Sequence, residues 1–177
     1  VMATEDPGVE FFRMVRVRPA VPERVTIEAD EGERAALAAR FGVVGITSFS
    51  AELTFEPDGD AVDARGCLKA QLIQACAVSG DDFPVDVEEP LSLRFVREVR
   101  AVDPEEEAEL PADEPDEIEF TGDSFDIGEA VAQSLGLAID PYAEGPNADA
   151  IRREAGIAPE GEAEGPLAEL LRGLKPT

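Results

Sequence analysis

Residues 43–79 hold two β-like runs joined by a tight reversal, and no other pattern in the chain constrains its fold as strongly. In the first run, Val43–Phe55, the apolar Phe49, Ala51, Leu53 and Phe55 alternate with the polar Ser48, Ser50, Glu52 and Thr54. A period of two marks a strand with one dry face. The second run, Ala64–Ser79, puts Leu68, Ala70 and Leu72 on one face. Between them, Glu56-Pro57-Asp58-Gly59-Asp60 combines a preset φ at proline with the positive φ that glycine tolerates, which is turn chemistry. Together the pieces predict a long antiparallel hairpin. A third run, Leu91–Phe95, turns Leu91, Leu93 and Phe95 to one face. Three strands make a stable sheet where an isolated hairpin is marginal.

Helical signals lie on either side of this core. Asp30 followed by Glu33 has the spacing of a capping box, so a helix is predicted from there to about Phe41, ended by Gly42 and carrying Leu37 and Phe41 as its apolar stripe. Asp126 and Glu129 repeat the spacing. Ile127, Val131 and Leu135 then recur every four residues, which predicts a second helix closed by Gly136 or Pro141. Short strands are expected at Val25–Glu28 and, on a sheet edge, at Asp116–Phe120, while Phe11–Arg18 mixes β-formers with arginines. The predicted fold class is α+β: an antiparallel sheet or partly closed barrel with two packed helices, forming a single domain over residues 10–142. Residues 143–177, rich in Gly, Pro and Glu, read as a mostly flexible tail with a weak helical pattern at Ala148–Ala155. Within the tail, over 166–174, Leu167, Leu170, Leu171 and Leu174 fall at i, i+3, i+4 and i+7. Such a short amphipathic helix suits a partner groove or the chain's own sheet.

Charge narrows the partners. Forty Asp and Glu stand against fifteen Lys and Arg in 177 residues, a formal charge of −25. A field of that sign repels phosphates and anionic membranes out to a Debye length of about 8 Å, so the expected partners are basic. Residues 101–129 hold thirteen acidic side chains and no basic one, over half of the net charge. A mobile acidic loop is expected over Ala101–Pro115. In and beside it, Glu105, Glu106, Glu107, Glu109, Asp113, Glu114, Asp116 and Glu117 are candidate partner-binding residues, joined by Leu167, Leu170 and Leu171 of the tail. The alternative for the acidic stretch is a solvated linker. Arg13, Arg16, Arg18 and Arg94 make a candidate basic patch; the alternative is that they pair with the surplus carboxylates of the same chain.

Few residues point to a reaction. The chain has no His and lacks the glycine-rich phosphate loops and the nucleophile-elbow pattern. Cys67 and Cys76 are nine apart in one predicted strand, so they fall on opposite faces roughly 30 Å apart, beyond disulfide reach. Free thiols suit a reducing cytosol. Neither a membrane span nor a secretion leader is predicted. Asp58-Gly59-Asp60 with Asp63 looks like part of a calcium loop but lacks its glycine and its closing glutamate, and turn chemistry explains it. Cys76 by itself reads as a small buried hydrophobe, with a ligand or a reactive thiol as alternatives. The expectation is a non-enzyme without cofactor or metal. A competing class is a metal-assisted hydrolase using the carboxylates of Asp58, Asp60, Asp81 and Asp82, and a third is an acidic mimic of nucleic acid.

Four segments, in order, resemble the YceD family, the large ribosomal RNA subunit accumulation proteins of bacteria and plastids. They are Glu28–Gly42 (EADEGERAALAARFG), Gly66–Cys76 (GCLKAQLIQAC), Ile127–Val131 (IGEAV) leading to Leu137–Tyr142 (LAIDPY), and Pro166–Leu171 (PLAELL). Many members carry a second Cys three residues after the position of Cys76, then an apolar residue and Pro; here Ser79, Gly80, Asp81 and Asp82 follow, and the Cys-rich tail is missing. A thiol pair or metal at that corner therefore does not carry over. The resemblance implies a non-enzymatic role in accumulation of large-subunit ribosomal RNA, in the cytoplasm; combined with the charge, it leads to the expectation of a basic ribosomal protein or pre-ribosomal particle as partner. Direct RNA contact is disfavoured, because affinity for phosphates comes mainly from Lys and Arg.

Overall fold

The computed structural model describes residues 10–98 and 116–157. Its elements are β1 (Met14–Arg16), β2 (Arg24–Glu28), α1 (Glu31–Phe41), β3 (Gly45–Asp58), β4 (Ala61–Ala75), β5 (Asp82–Arg97), β6 (Asp116–Phe120), β7 (Ser124–Asp126), α2 (Ile127–Ala138) and α3 (Ala148–Glu154). The chain divides into two compact units: a larger one up to Gln74 and again from Pro84 to Asp140, and a smaller one of Ala75–Phe83 and the chain from Pro141.

The hairpin forms as its alternation dictates. β3 and β4 pair antiparallel from Asp58↔Ala61 upward, and Gly59 takes φ 62° in the turn. Phe49, Ala51, Leu53 and Phe55 are buried on the same side as Leu68, Ala70 and Leu72, with Leu91, Leu93 and Phe95 of β5 completing the dry face. Thr47 is a bulge that shifts the register between Ile46 and Ser48. Gly66 is fixed by close approach, since a Cβ there would meet the Glu52 carbonyl oxygen at 1.9 Å. β4 stops at Ala75 rather than reaching Ser79, because Cys76–Ser79 form a turn in which the Gly80 N–H donates to the Cys76 carbonyl at 2.9 Å.

The fold is α+β, with two corrections to the expected sheet. Among the described residues the large sheet runs β2-β3-β4-β5-β6, has two edges and does not close into a barrel, and β1 and β7 form a separate pair. Moreover β6 joins β5 in parallel, Leu93↔Asp116 to Arg97↔Phe120, so the sheet is mixed rather than antiparallel. The connection over 98–115 is long enough for the crossover that a parallel neighbour requires.

α1 and α2 cover the dry face. Asp30 caps α1 with both bonds of the box, its carboxylate accepting from the Glu33 N–H while Glu33 accepts from the Asp30 N–H, and Gly42 ends the helix at φ 67°. In α2 the expected box is not made. Asp126 accepts from the N–H of Gly128, one residue earlier than a box requires, because Glu129 is drawn away to Arg40 of α1. Gly136 does not stop α2 either; it lies inside the helix, where a Cβ would come within 2.9 Å of the Phe41 ring. Ile127, Val131 and Leu135 are fully buried with Leu37 in the same core as the sheet residues. Each such side chain contributes about 1.5–3 kcal/mol. β7 reaches that core through Phe125, stacked on Phe95 with centroids 3.9 Å apart and edged by Phe55 and Phe120.

In the smaller unit, Ala77 N–H donates to Ala143 C=O, Gly145 lies against Phe83 and Cys76, and Arg152 of α3 pairs with Glu144. The weak helical pattern at 148–155 is thus α3.

Candidate functional site

Of the acidic candidates, β6 carries those within reach of description. Among the described residues it is an edge strand whose one neighbour is β5. Glu117 and Glu119 point to solvent while Phe120 is buried, the alternation that any strand beside a core imposes. Asp116 begins the strand. Glu105, Glu106, Glu107, Glu109, Asp113 and Glu114, and likewise Leu167, Leu170 and Leu171, lie outside the described residues. What the structure contributes is therefore the anchor: a strand edge, unpaired among the described residues, with outward carboxylates, that follows directly on the acid-dense stretch in the chain.

The four arginines do not form one cluster of free cations. Arg94, on β5, donates to Asp58 and Asp63 at 2.7 Å each and has Glu117 at 3.8 Å. Bonds to Asp58 and then Asp63 raise its pKa. Arg13 donates to the Glu28 carbonyl and holds both oxygens of Glu33, at 2.6 and 2.8 Å, and its hydrogen bonding to Glu33 lowers the Glu33 pKa. Arg18 faces Asp123 at 3.8 Å. Three of the four thus take the same-chain pairing that the charge surplus favours. Arg16 is exposed and has no hydrogen bond or ion pair among the described residues.

Sequence reasoning missed a groove of about 810 Å³ between β1 and β2. Val15, Val25, Ile27 and Ile127 line it, Phe12, Met14, Arg16, Thr26 and Glu28 border it, and Ala20, Val21 and Pro22 of the β1–β2 connection enter its wall. Phe12 and Met14 are about half exposed, at 52% and 46%. The only signal in the sequence was the mixture of β-formers and arginines in Phe11–Arg18, which fixes neither the neighbour of β1 nor the gap beside it.

Cys76, in the smaller unit, is 3% exposed. Its Sγ accepts from the N–H groups of Val78 and Ser79, both at 3.4 Å. Hydrogen bonding from the Ser79 side chain, then from the backbone of Ser79 and Gly145, draws the thiol pKa down to about 7. Both cysteines are free. Cys67 behaves oppositely: burial, then the nearby Glu88, pushes its pKa up.

Two carboxylates of the hydrolase reading are taken up by other side chains. Asp58 is bound to Arg94, and Asp81 faces the Asn147 amide at 3.4 Å in the smaller unit. Among the described residues no group of three or more His, Cys, Asp or Glu side chains is placed to hold a metal ion. No helix among those residues is long and apolar enough to cross a membrane. No family model, curated protein or solved structure matches the chain.

Proposed function

We propose that the protein is a non-enzymatic binding factor in large ribosomal subunit assembly, receiving a basic ribosomal protein or a pre-ribosomal particle on the acidic edge of its sheet. The observation that carries this reading is β6: a strand edge without a partner among the described residues, with Glu117 and Glu119 facing outward, reached directly from residues 101–115, which contain no cation. An edge strand offers backbone hydrogen bonds, and the carboxylates select for positive charge and speed encounter. The likeness of four ordered segments to the YceD family supplies the setting, accumulation of large-subunit ribosomal RNA in the cytoplasm. The pairing of Arg13, Arg18 and Arg94 with carboxylates of the same chain supports a protein rather than an RNA partner.

The test is affinity capture by the full chain, offered purified large-subunit ribosomal proteins and ribosomal RNA fragments separately across a salt series. Capture of basic proteins that weakens steeply with salt is expected. Capture of RNA without protein rejects the reading.

A further inference from the structure

The groove between β1 and β2 has the layout of a sheet with one strand missing. Along β2, residues 23, 25, 27 and 29 form the hydrogen-bonded pairs with β3, as the Ala29-to-Phe49 and Phe55-to-Glu23 bonds show. The backbone groups of Arg24, Thr26 and Glu28 therefore face away from β3. On β1 the bonds from Val17 to Asp123 and from Ile127 to Arg13 set the same alternation, so the backbone groups of Met14 and Arg16 face away from β7. Neither outward row has a strand partner among the described residues. Both border the same groove.

The walls fit an inserted strand. Arg13, just before β1, donates to the carbonyl of Glu28, the last residue of β2, and the short connection over 17–23 joins the end of β1 to the start of β2, so the two strands run in opposite directions and are bridged by a side chain, not by a ladder. A strand between them would be antiparallel to one and parallel to the other, with neighbours about 4.8 Å away on each side. Its inward side chains would meet Val15, Val25 and Ile27, and its outward ones Met14, Arg16, Thr26 and Glu28. The charge of this surface is local: in a chain of −25, with Arg13 committed to Glu33, Arg16 is left open at the groove's border.

We propose that the groove takes an extended segment of another protein chain by strand addition, with apolar side chains turned inward at alternate positions and a carboxylate beside Arg16. The outer edge of β2 admits about five residues, roughly 17 Å of strand. This site is at the opposite edge of the large sheet from β6 and does not depend on the reading given to β6.

The probe is the peptide acetyl-Ser-Val-Thr-Val-Glu-Val-Ser-amide, with a second version carrying Lys in place of Glu, each titrated into the isotope-labelled full chain and followed by amide shifts. The Glu peptide is expected to move the Met14, Arg16 and Thr26 amides saturably and to bind about tenfold more tightly than the Lys peptide, with Arg16→Glu reversing the order. Thr26→Pro removes an outward N–H that makes no internal ladder bond, so it leaves the fold intact and weakens both peptides about tenfold. Held by backbone bonds and apolar contact, the complex should persist at a salt concentration that abolishes capture at β6, so the two sites fail independently. The proposal is overturned if neither peptide shifts these amides. It is equally overturned if the amides of the dilute free protein are already protected from exchange, meaning the chain fills its own groove, or become protected only as protein concentration rises, meaning a second copy does. Should Thr26→Pro disturb the fold, the charge reversal at Arg16 still decides.

Discussion

Removing the Phe125 ring should loosen the whole β1-β7 pair from the large sheet. Phe125 is 2% exposed and touches three other rings: stacked on Phe95 at 3.9 Å, and tilted or edge-on to Phe120 at 5.6 Å and Phe55 at 5.9 Å. Among the described residues β7 is the only strand partner of β1, and β1 is one wall of the groove. Phe125→Ala deletes a fully packed ring that the surrounding strands cannot collapse to fill, a loss of about 4 kcal/mol. In a chain of this size that lowers Tm by roughly 8–16 °C. Phe125→Leu keeps most of the apolar volume and forfeits mainly the ring–ring geometry, about 1–2 kcal/mol. Urea titrations with an unchanged m value isolate the stability term, and exchange of the Val15 and Val17 amides reports whether the pair opens ahead of the rest. A loss under about 1 kcal/mol for the alanine variant, or equal losses for alanine and leucine, would refute the packing reasoning.

Three further outcomes follow from the geometry. Gly128→Ala, which in a free helix gains about 1 kcal/mol, should here cost about 1–3 kcal/mol by urea denaturation. A Cβ at that position would lie 2.4 Å from the Phe11 carbonyl oxygen and 2.8 Å from the Arg13 nitrogen, and a gain in stability contradicts the account. Glu33 and Glu129 are held below the ordinary glutamate range by hydrogen bonds from Arg13 and Arg40, so their contribution is present above about pH 4.3 and is lost as pH falls through the depressed values. The stability gap between wild type and a Glu33→Gln/Glu129→Gln variant should therefore be about 2 kcal/mol at neutral pH and close toward zero in acid; a gap independent of pH contradicts it. Alkylation of Cys76 by iodoacetamide should be slow, for the thiol is covered, with a rate that rises through about pH 7. Ser79→Ala should move that midpoint upward, and an unmoved midpoint removes the hydroxyl as the main cause.

How much could be read from the sequence depended on how far each feature's causes lay along the chain. The β3-β4 hairpin was legible because Phe49 to Phe55 alternate over several residues and Pro57-Asp58-Gly59 can do little but turn. α1 was legible at both ends, for Asp30, Glu33 and Gly42 act on backbone groups within a few residues. Asp126 and Glu129 have the same spacing, yet Glu129 answers to Arg40, 89 positions earlier, which no local pattern encodes. Gly136 was read as a stop because glycine is a poor helix former, whereas Phe41 needs its missing side chain. β1 and β7 have three residues each, too short to show a period, and the parallel approach of β6 depends on a crossover rather than on composition. The groove arises where two such unreadable placements meet. Of the candidate site, Glu117 and the edge position of β6 were legible, because an alternating acidic strand bounded by Pro115 and Gly122 fits only the margin of a sheet.

The most direct test of cation capture at the β6 edge is the amount of mature large-subunit ribosomal RNA, relative to small-subunit RNA, in cells whose only copy of this chain has Glu105, Glu106, Glu107, Glu109, Glu114, Glu117 and Glu119 changed to Gln and Asp113 to Asn. With the fold retained, the ratio should fall to that of cells lacking the chain, and basic ribosomal proteins should no longer copurify. An undiminished ratio together with unchanged copurification would mean that the negative edge receives nothing.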